Sequence, residues 1–333
     1  MKPFDDLTPR GKARRLRKLA LNALKQYALD VTRVRLVGLF TNTLFRVDTP
    51  ASSYVLRVCA PGWRTETDLR SEIAWLEALN RDTKIGAPDP LPARSGDCLV
   101  EASAPGLIPC RCLVMSWIPG TLLGKRLTEK NLFKMGILFT RLHEHGARFS
   151  PPQGFTQRRM DTLYARGEED VLFADAQRDA FTPHTWDVFR RTATAVERAF
   201  ARLYADPTGL QVIHNDLWHG NIKVFRGKLY PFDFEDTVWG YPVQDIAMAL
   251  QDLMMDTAPD AYEPLAHAFR QGYESRAAWP ERHPKEIDIF CAGRLLWVAN
   301  YVARFEREHL PEHVKRTAGI LARFLETGQV NKM

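Results

Sequence analysis

The chain has 333 residues, of which 45% are hydrophobic and 26% charged. These proportions exclude a mainly disordered chain, a collagen-like fibre and a coiled coil, and the length suffices for two domains with a sizeable buried core. Lys and Arg number 46 against 40 Asp and Glu, a net charge of +6 that favours anionic partners only mildly. No stretch approaches the roughly 18 uncharged apolar residues of a membrane span, and the basic N-terminus lacks the apolar run of a secretory signal. The cysteines number five, scattered and odd in count, which points to a reducing cytoplasm. Cys110 and Cys112 form a C-x-C with no second pair at zinc spacing.

The first segment, 1–31, reads as a basic amphipathic helix. Arg10, Lys12, Arg14, Arg15, Arg17, Lys18 and Lys25 crowd it, while Leu16, Leu19, Ala20, Ala23, Leu24 and Tyr27 recur at helical spacing. A solvated basic face is the expectation, and nucleic-acid binding is not, because no aromatic or motif support accompanies the charge. Strands are expected at 34–40, 44–47 and 54–59, then a helix over 67–80 with Leu69, Ile73, Leu76 and Leu79 on one face. Further strands follow at 98–101 and 112–117. From about 131 helical periodicity dominates, broken by one β-rich stretch between 212 and 234. The expected fold class is α+β and bilobal, with a small β-rich lobe over 32–117, a larger helical lobe over 118–333 and a hinge near 116–121.

The chemistry concentrates between Val212 and Ala247, which holds His214, Asp216, His219, Asn221, Asp233, Glu235, Asp236 and Asp245. Runs 222–225 and 229–232 read as a hairpin turning at Arg226-Gly227. Its closure brings Asn221, before the first strand, near Asp233, after the second. A side-chain carbonyl and a carboxylate make an all-oxygen pair of the kind that holds Mg²⁺ together with substrate phosphates. Asp216, five residues before Asn221, is placed to accept a proton from an attacking hydroxyl. A transition-metal site on His214, Asp216 and His219 is a lesser alternative, since it leaves Asn221 and Asp233-Phe234-Glu235 unexplained.

The spacing H-x-D-x-x-x-x-N followed by D-F-x, here His214, Asp216, Asn221 and Asp233-Phe234-Glu235, follows the logic of kinase catalytic loops. On these residues, and on Asp245 opening the next helix, the chain resembles the aminoglycoside phosphotransferase family within the protein-kinase-like enzymes. The resemblance is motif-specific over 212–247 and rests on element pattern over about 34–325.

The resemblance implies a cytoplasmic kinase that uses ATP, or GTP, with Mg²⁺ to phosphorylate a small-molecule hydroxyl such as a sugar, amino alcohol, amino acid or aminoglycoside-like acceptor. It implies Asp216 as catalytic base and Asn221 and Asp233 as metal ligands. It places Val55 against the adenine, Arg57 at the phosphates and Glu72 as the partner of Arg57. The loop 38–43, with Asn42, would cover the phosphates, and Met115, Ser116 and Ile118 would form the adenine-reading hinge. Two departures accompany it: Arg57 stands where kinases carry Lys, and the phosphate loop holds the lone Gly38. A protein serine/threonine kinase and a catalytically weak nucleotide-binding scaffold are the alternatives on the same fold. For the acceptor, two features compete. Asp252, Asp256, Asp260 and Glu263 suit a cation, whereas the helical face of Arg294, Trp297, Tyr301 and Arg304 suits a sugar or an anion. His143, Asp245 and His214 are expected to brace the catalytic loop.

Overall fold

The computed structural model describes residues 3–4, 6–39, 41–164 and 169–330. Phe40 of the expected phosphate loop lies outside the described residues, as do 1, 2 and 5 of the N-terminal segment and 331–333. The chain divides into two compact units.

The first unit comprises Met1–Gly120, Ser150–Thr156 and Tyr230–Glu235. Helix α1 (Pro9–Leu24) starts where Thr8 Oγ1 accepts the Gly11 N–H at 3.2 Å and Pro9 takes the first position, which needs no donor. Its apolar stripe, Leu16, Leu19, Ala20, Ala23 and Leu24, is buried. Tyr27 lies beyond the helix end, equally buried, and donates its hydroxyl to the Cys98 carbonyl at 2.9 Å.

Strands β1 (Arg33–Leu39), β2 (Thr43–Asp48) and β3 (Ser53–Val58) follow, then helix α2 (Glu66–Asp82) and strands β4 (Leu99–Ala102) and β5 (Cys110–Ser116). They form an antiparallel sheet in the order β1-β2-β3-β5-β4. Alternation along β3 decides its chemistry. Leu56 and Val58 join the core under α1 with Phe45, Val47, Cys112 and Val114, which turns Val55 and Arg57 to the other face. Thr65 and Asp68 cap α2 reciprocally. The separate segment Ser150–Thr156 is tied to this helix, Thr156 donating its N–H to Ser71 Oγ at 2.7 Å and its hydroxyl to Asp68 at 2.9 Å.

The second unit begins at Thr121. It holds strand β6 (Thr121–Leu122) and helices α3 (Glu129–Arg148) and α4 (Pro183–Tyr204), then strands β7 (Gln211–Ile213), β8 (Ile222–Phe225), the first two residues of β9 (Lys228–Pro231), whose last two belong to the first unit, and β10 (Val238–Gly240). Helices α5 (Pro242–Asp256), α6 (Pro259–Glu274), α7 (Glu286–Phe305) and α8 (Leu310–Thr327) complete it. The β8–β9 hairpin turns at Arg226 (φ 48°) and Gly227 (φ 75°), the positive pair a two-residue turn requires. With only two turn residues the second strand starts at Lys228, one position earlier than expected. Helices α3 and α6 approach so closely that a β-carbon on Gly136 would collide with the Phe269 carbonyl, and one on Gly272 with that of Phe133. No helix among the described residues is long and apolar enough to cross a membrane.

Candidate active site

In the second unit, β7 leads directly into the loop that carries His214 and Asp216. Asn215 between them takes φ 60°, a left-handed conformation that costs a side chain free energy and needs support. Asp245, in the first turn of α5, supplies it. Its carboxylate accepts the N–H groups of His214 at 3.2 Å and Asn215 at 2.6 Å. His143 on α3 sits behind, its Nε2 at 3.2 Å from Asp245 and its Nδ1 at 3.1 Å from the Tyr273 hydroxyl. The fully buried His214 ring caps the loop, its Nδ1 accepting the Asp216 N–H at 3.3 Å.

Asn221 closes the loop. Its Nδ2 donates at 2.9 Å both to the Asp216 backbone oxygen and to Asp216 Oδ2. With the amide nitrogen committed, the carbonyl oxygen Oδ1 is the atom left to meet a cation. His219, within the same loop, turns its Nε2 to Asp256 at 3.0 Å. The alternative of a transition-metal site on His214, Asp216 and His219 is thereby corrected. The three side chains have separate partners, and among the described residues no cluster of three or more His, Cys, Asp or Glu side chains can hold a metal.

The acidic stretch and the arginine–aromatic face meet at one ion pair, Asp252 with Arg294. Arg294 on α7 places Nη2 at 3.5 Å from Asp216 Oδ1 and 3.3 Å from Asp252 Oδ2. Its guanidinium lies 4.2 Å over the Trp297 ring, which stacks in turn on Tyr301 at 5.9 Å. Burial raises the Asp252 carboxyl above the usual carboxylate range, and Arg294 opposes the shift. Asp260 and Glu263 are exposed on α6, and Arg304 is exposed on α7, outside this cluster.

In the first unit, Asp233 follows β9 with φ 68°. The next residue, Phe234, is fully buried edge-on against Trp75, with ring centroids 5.4 Å apart. That anchor holds the turn that sets the two acids on either side of it. Glu235 is engaged by Asn42 Nδ2, by Trp63 Nε1 at 3.1 Å and by Arg57 Nη1 at 3.6 Å. Arg57 and Glu72 form a buried two-pronged ion pair, Nη1 to Oε1 at 3.0 Å and Nη2 to Oε2. Arg57 Nε is buried and has no partner among the described residues. Burial pushes the neighbouring Cys59 thiol up to about 11.

Asn42 is more committed than a loop residue waiting for phosphate. Besides Glu235, it accepts the Ala60 N–H at 2.9 Å. At the expected hinge, the Ser116 N–H donates to the Asp89 carbonyl at 2.9 Å and the Trp117 N–H to the Ser53 carbonyl at 3.1 Å. Met115 and Ile118 are buried and Val55 is half-buried. Trp63 escaped the sequence reading, because no local spacing links residues 172 positions apart. The D-x-E pattern was the single available signal for Glu235.

Taken each by itself, the Asn221 carbonyl oxygen and the Asp233 carboxylate are hard oxygen donors, the ligand type that Mg²⁺ takes together with waters and substrate phosphates. Arg57 Nε is a buried donor suited to an anionic oxygen.

The sequence model of the phosphotransferase enzyme family matches residues 32–279. An uncharacterized protein of Synechocystis is 25% identical over 262 residues, covering 76% of this chain and 68% of its own length. Among solved structures, a microcompartment-associated aminopropanol kinase superposes with a TM-score of 0.79 at 20% identity, covering 94% of this chain and 99% of that one. The amicoumacin kinase hAmiN, solved with AMP-PNP, Ca²⁺ and Ami, gives a TM-score of 0.74 at 16% identity, covering 94% and 96%. The fold is therefore protein-kinase-like.

Proposed function

Since the chain belongs to the phosphotransferase enzyme family, and is by that membership a kinase, we propose that it moves the γ-phosphoryl group of ATP to a hydroxyl of a small-molecule acceptor, with Mg²⁺ as cofactor. The observation that carries this reading is the pairing of Asp216 with Asn221, a proton acceptor and an oxygen ligand oriented by one shared amide.

Asp216 orients the acceptor hydroxyl and takes its proton as the oxygen–phosphorus bond forms and the bond between γ-phosphorus and ADP breaks. Asn221 Oδ1 and the Asp233 carboxylate would hold Mg²⁺, which when bound neutralises phosphate charge and orients the phosphates. Arg57, fixed by Glu72, adds a rigid cation on the phosphate side. Val55 is the apolar wall for the adenine, with Met115 and Ile118 at the hinge. Positioning and preorganised charge supply most of the rate gain. A small acceptor is supported by the aminopropanol kinase and amicoumacin kinase among the structural neighbours, and a nucleotide by the AMP-PNP of the latter. Five buried free cysteines suit a reducing cytoplasm.

Thermal unfolding with ATP, ADP and GTP, each with and without Mg²⁺, tests the nucleotide half. A ligand at about 100 times its Kd stabilises by roughly 2.7 kcal/mol, a readable Tm shift. A Mg²⁺-dependent shift selects the donor. No shift at millimolar nucleotide would defeat the proposal.

A further inference from the structure

The loop that carries Asp216 fixes its backbone and one carboxylate oxygen. The Asp216 N–H donates to His214 Nδ1 at 3.3 Å, and Asn221 Nδ2 donates at 2.9 Å to its backbone oxygen and at 2.9 Å to Oδ2. The outermost torsion of an aspartate is broad and roughly two-fold, so a bond to one oxygen leaves the carboxylate plane free to turn. A contact at the second oxygen removes that freedom.

Helix α7 supplies such a contact. Arg294 Nη2 stands 3.5 Å from Asp216 Oδ1. The arginine is itself held. The same Nη2 lies 3.3 Å from Asp252 Oδ2 on α5, and the guanidinium lies 4.2 Å over the ring of Trp297, nearly one turn along α7. Helix α5 thereby acts on the loop at two points. Asp245 in its first turn accepts two loop N–H groups, and Asp252, two helical turns on and so on the same face, engages the arginine. Exposure divides the roles. The Asp216 side chain is 21% exposed and that of Arg294 13%. The larger open share suits a group that meets substrate, and the smaller suits a brace.

We propose that Arg294 is a positioning residue for phosphotransfer: it acts through Asp216, clamping the carboxylate between α7 and the catalytic loop, with Asp252 as the anchor that aims it. The inference rests on the phosphotransfer reading, in which Asp216 receives the acceptor's proton. It moves Arg294 out of the acceptor-binding role that its helical face with Trp297 and Tyr301 suggested. Arginine suits the task because its donors lie in one plane, so stacking on Trp297 also sets where Nη2 points, whereas an ammonium on a flexible stem carries charge without that aim. A displacement of about 1 Å from productive geometry can cost about 100-fold in rate, so a brace that never touches substrate can register in kcat.

Steady-state ATP consumption by the full chain tests this, with glycerol, serine, choline and water alone as acceptors and the kinetics followed on whichever the wild type uses fastest. Arg294→Met should lower kcat roughly 10- to 100-fold while the KM values for ATP and acceptor change by about two-fold or less. Arg294→Lys, which returns the charge without the plane, should recover part of the loss. Asp252→Asn should cost less than Arg294→Met, and the double variant no more than Arg294→Met alone, because Asp252 acts through the arginine. Melting curves establish which variants fold. Wild-type kcat in a folded Arg294→Met overturns the proposal. A loss confined to KM, which would put Arg294 on a substrate, does so too, as do effects of Arg294→Met and Asp252→Asn that multiply. Should Arg294→Met fail to fold, wild-type kcat in both Arg294→Lys and Asp252→Asn overturns it equally. A wild type that consumes no ATP with any of these acceptors sinks the phosphotransfer reading and takes the positioning role with it. An active wild type with unaffected variants sinks the positioning role alone.

Discussion

Asn221 donates one side-chain amide to two oxygens of Asp216, the backbone carbonyl and Oδ2, each at 2.9 Å. The five-residue spacing of the motif is the chain length that lets one loop close on itself in this way. The bond leaves Asp216 Oδ1 on the side of Arg294. The geometry of Asp216 is therefore set by its own loop, and its surroundings by a helix far along the chain.

Asp216→Asn should lower kcat by about 100-fold or more, because a positioned general base contributes on that scale. The isosteric amide keeps a group in the same place, so the Kd for ATP should change little. Steady-state kinetics with nucleotide titration separates the two. A near-wild-type kcat would remove Asp216 from the reaction.

Glu72→Gln leaves Arg57 buried without its main counter-charge, with Glu235 at 3.6 Å as the remaining carboxylate. Removing one partner of a buried pair costs about 3–5 kcal/mol in general. The distal Glu235 should hold the loss toward the low end, about 3 kcal/mol, in chemical denaturation. Replacing both residues, Arg57→Met with Glu72→Leu, should recover much of the stability while abolishing nucleotide binding.

Asp245→Ala removes the acceptor of two buried N–H groups and the partner of His143. Each buried donor left unmade costs about 1–3 kcal/mol. The variant should unfold at a lower temperature and lose kcat, since Asn215 is no longer held in its left-handed conformation. Melting curves together with single-turnover rates read both effects.

Gly136→Ala should destabilise by roughly 1–3 kcal/mol, as overpacking does. The added carbon meets the backbone of α6, which cannot turn aside as a side chain would. Urea denaturation measures it, and an unchanged midpoint would show that α3 and α6 have room to separate.

All five cysteines are buried and free, and burial raises the Cys59 and Cys98 thiols to about 11. Thiolate is the reactive species, so at pH 8 these groups stay protonated and inert. A thiol reagent should label the native chain slowly at pH 8 and label all five residues promptly in denaturant. Fast labelling of Cys59 in the native protein would show that the Arg57 and Glu72 cluster opens.

Much of the fold was legible because local rules wrote it. The stripe of Leu16, Leu19, Ala20, Ala23 and Leu24 has helical period, and it is the buried face of α1. Alternation turned Arg57 away from Leu56, and Arg226-Gly227 supplied the turn that only positive φ allows. One boundary differed for a local reason: a two-residue turn moved β9 one position. The bonds of Ser116 and Trp117 to Asp89 and Ser53 were not legible, because sequence spacing does not pair these residues.

What the sequence by itself determined is the chemistry available: two carboxylates and an amide oxygen in an order that one loop and one hairpin can present. Backbone hydrogen bonding and side-chain period act over a few residues, so they can be read along the chain. What only the tertiary structure decided is which charges remain for a ligand. Glu235 is met by Asn42 and Trp63, and Asp216 and Asp252 by Arg294, across 193, 172, 78 and 42 positions respectively. Packing of whole elements makes those pairs, and pairing, more than composition, sets the charge that is left at the surface of each unit.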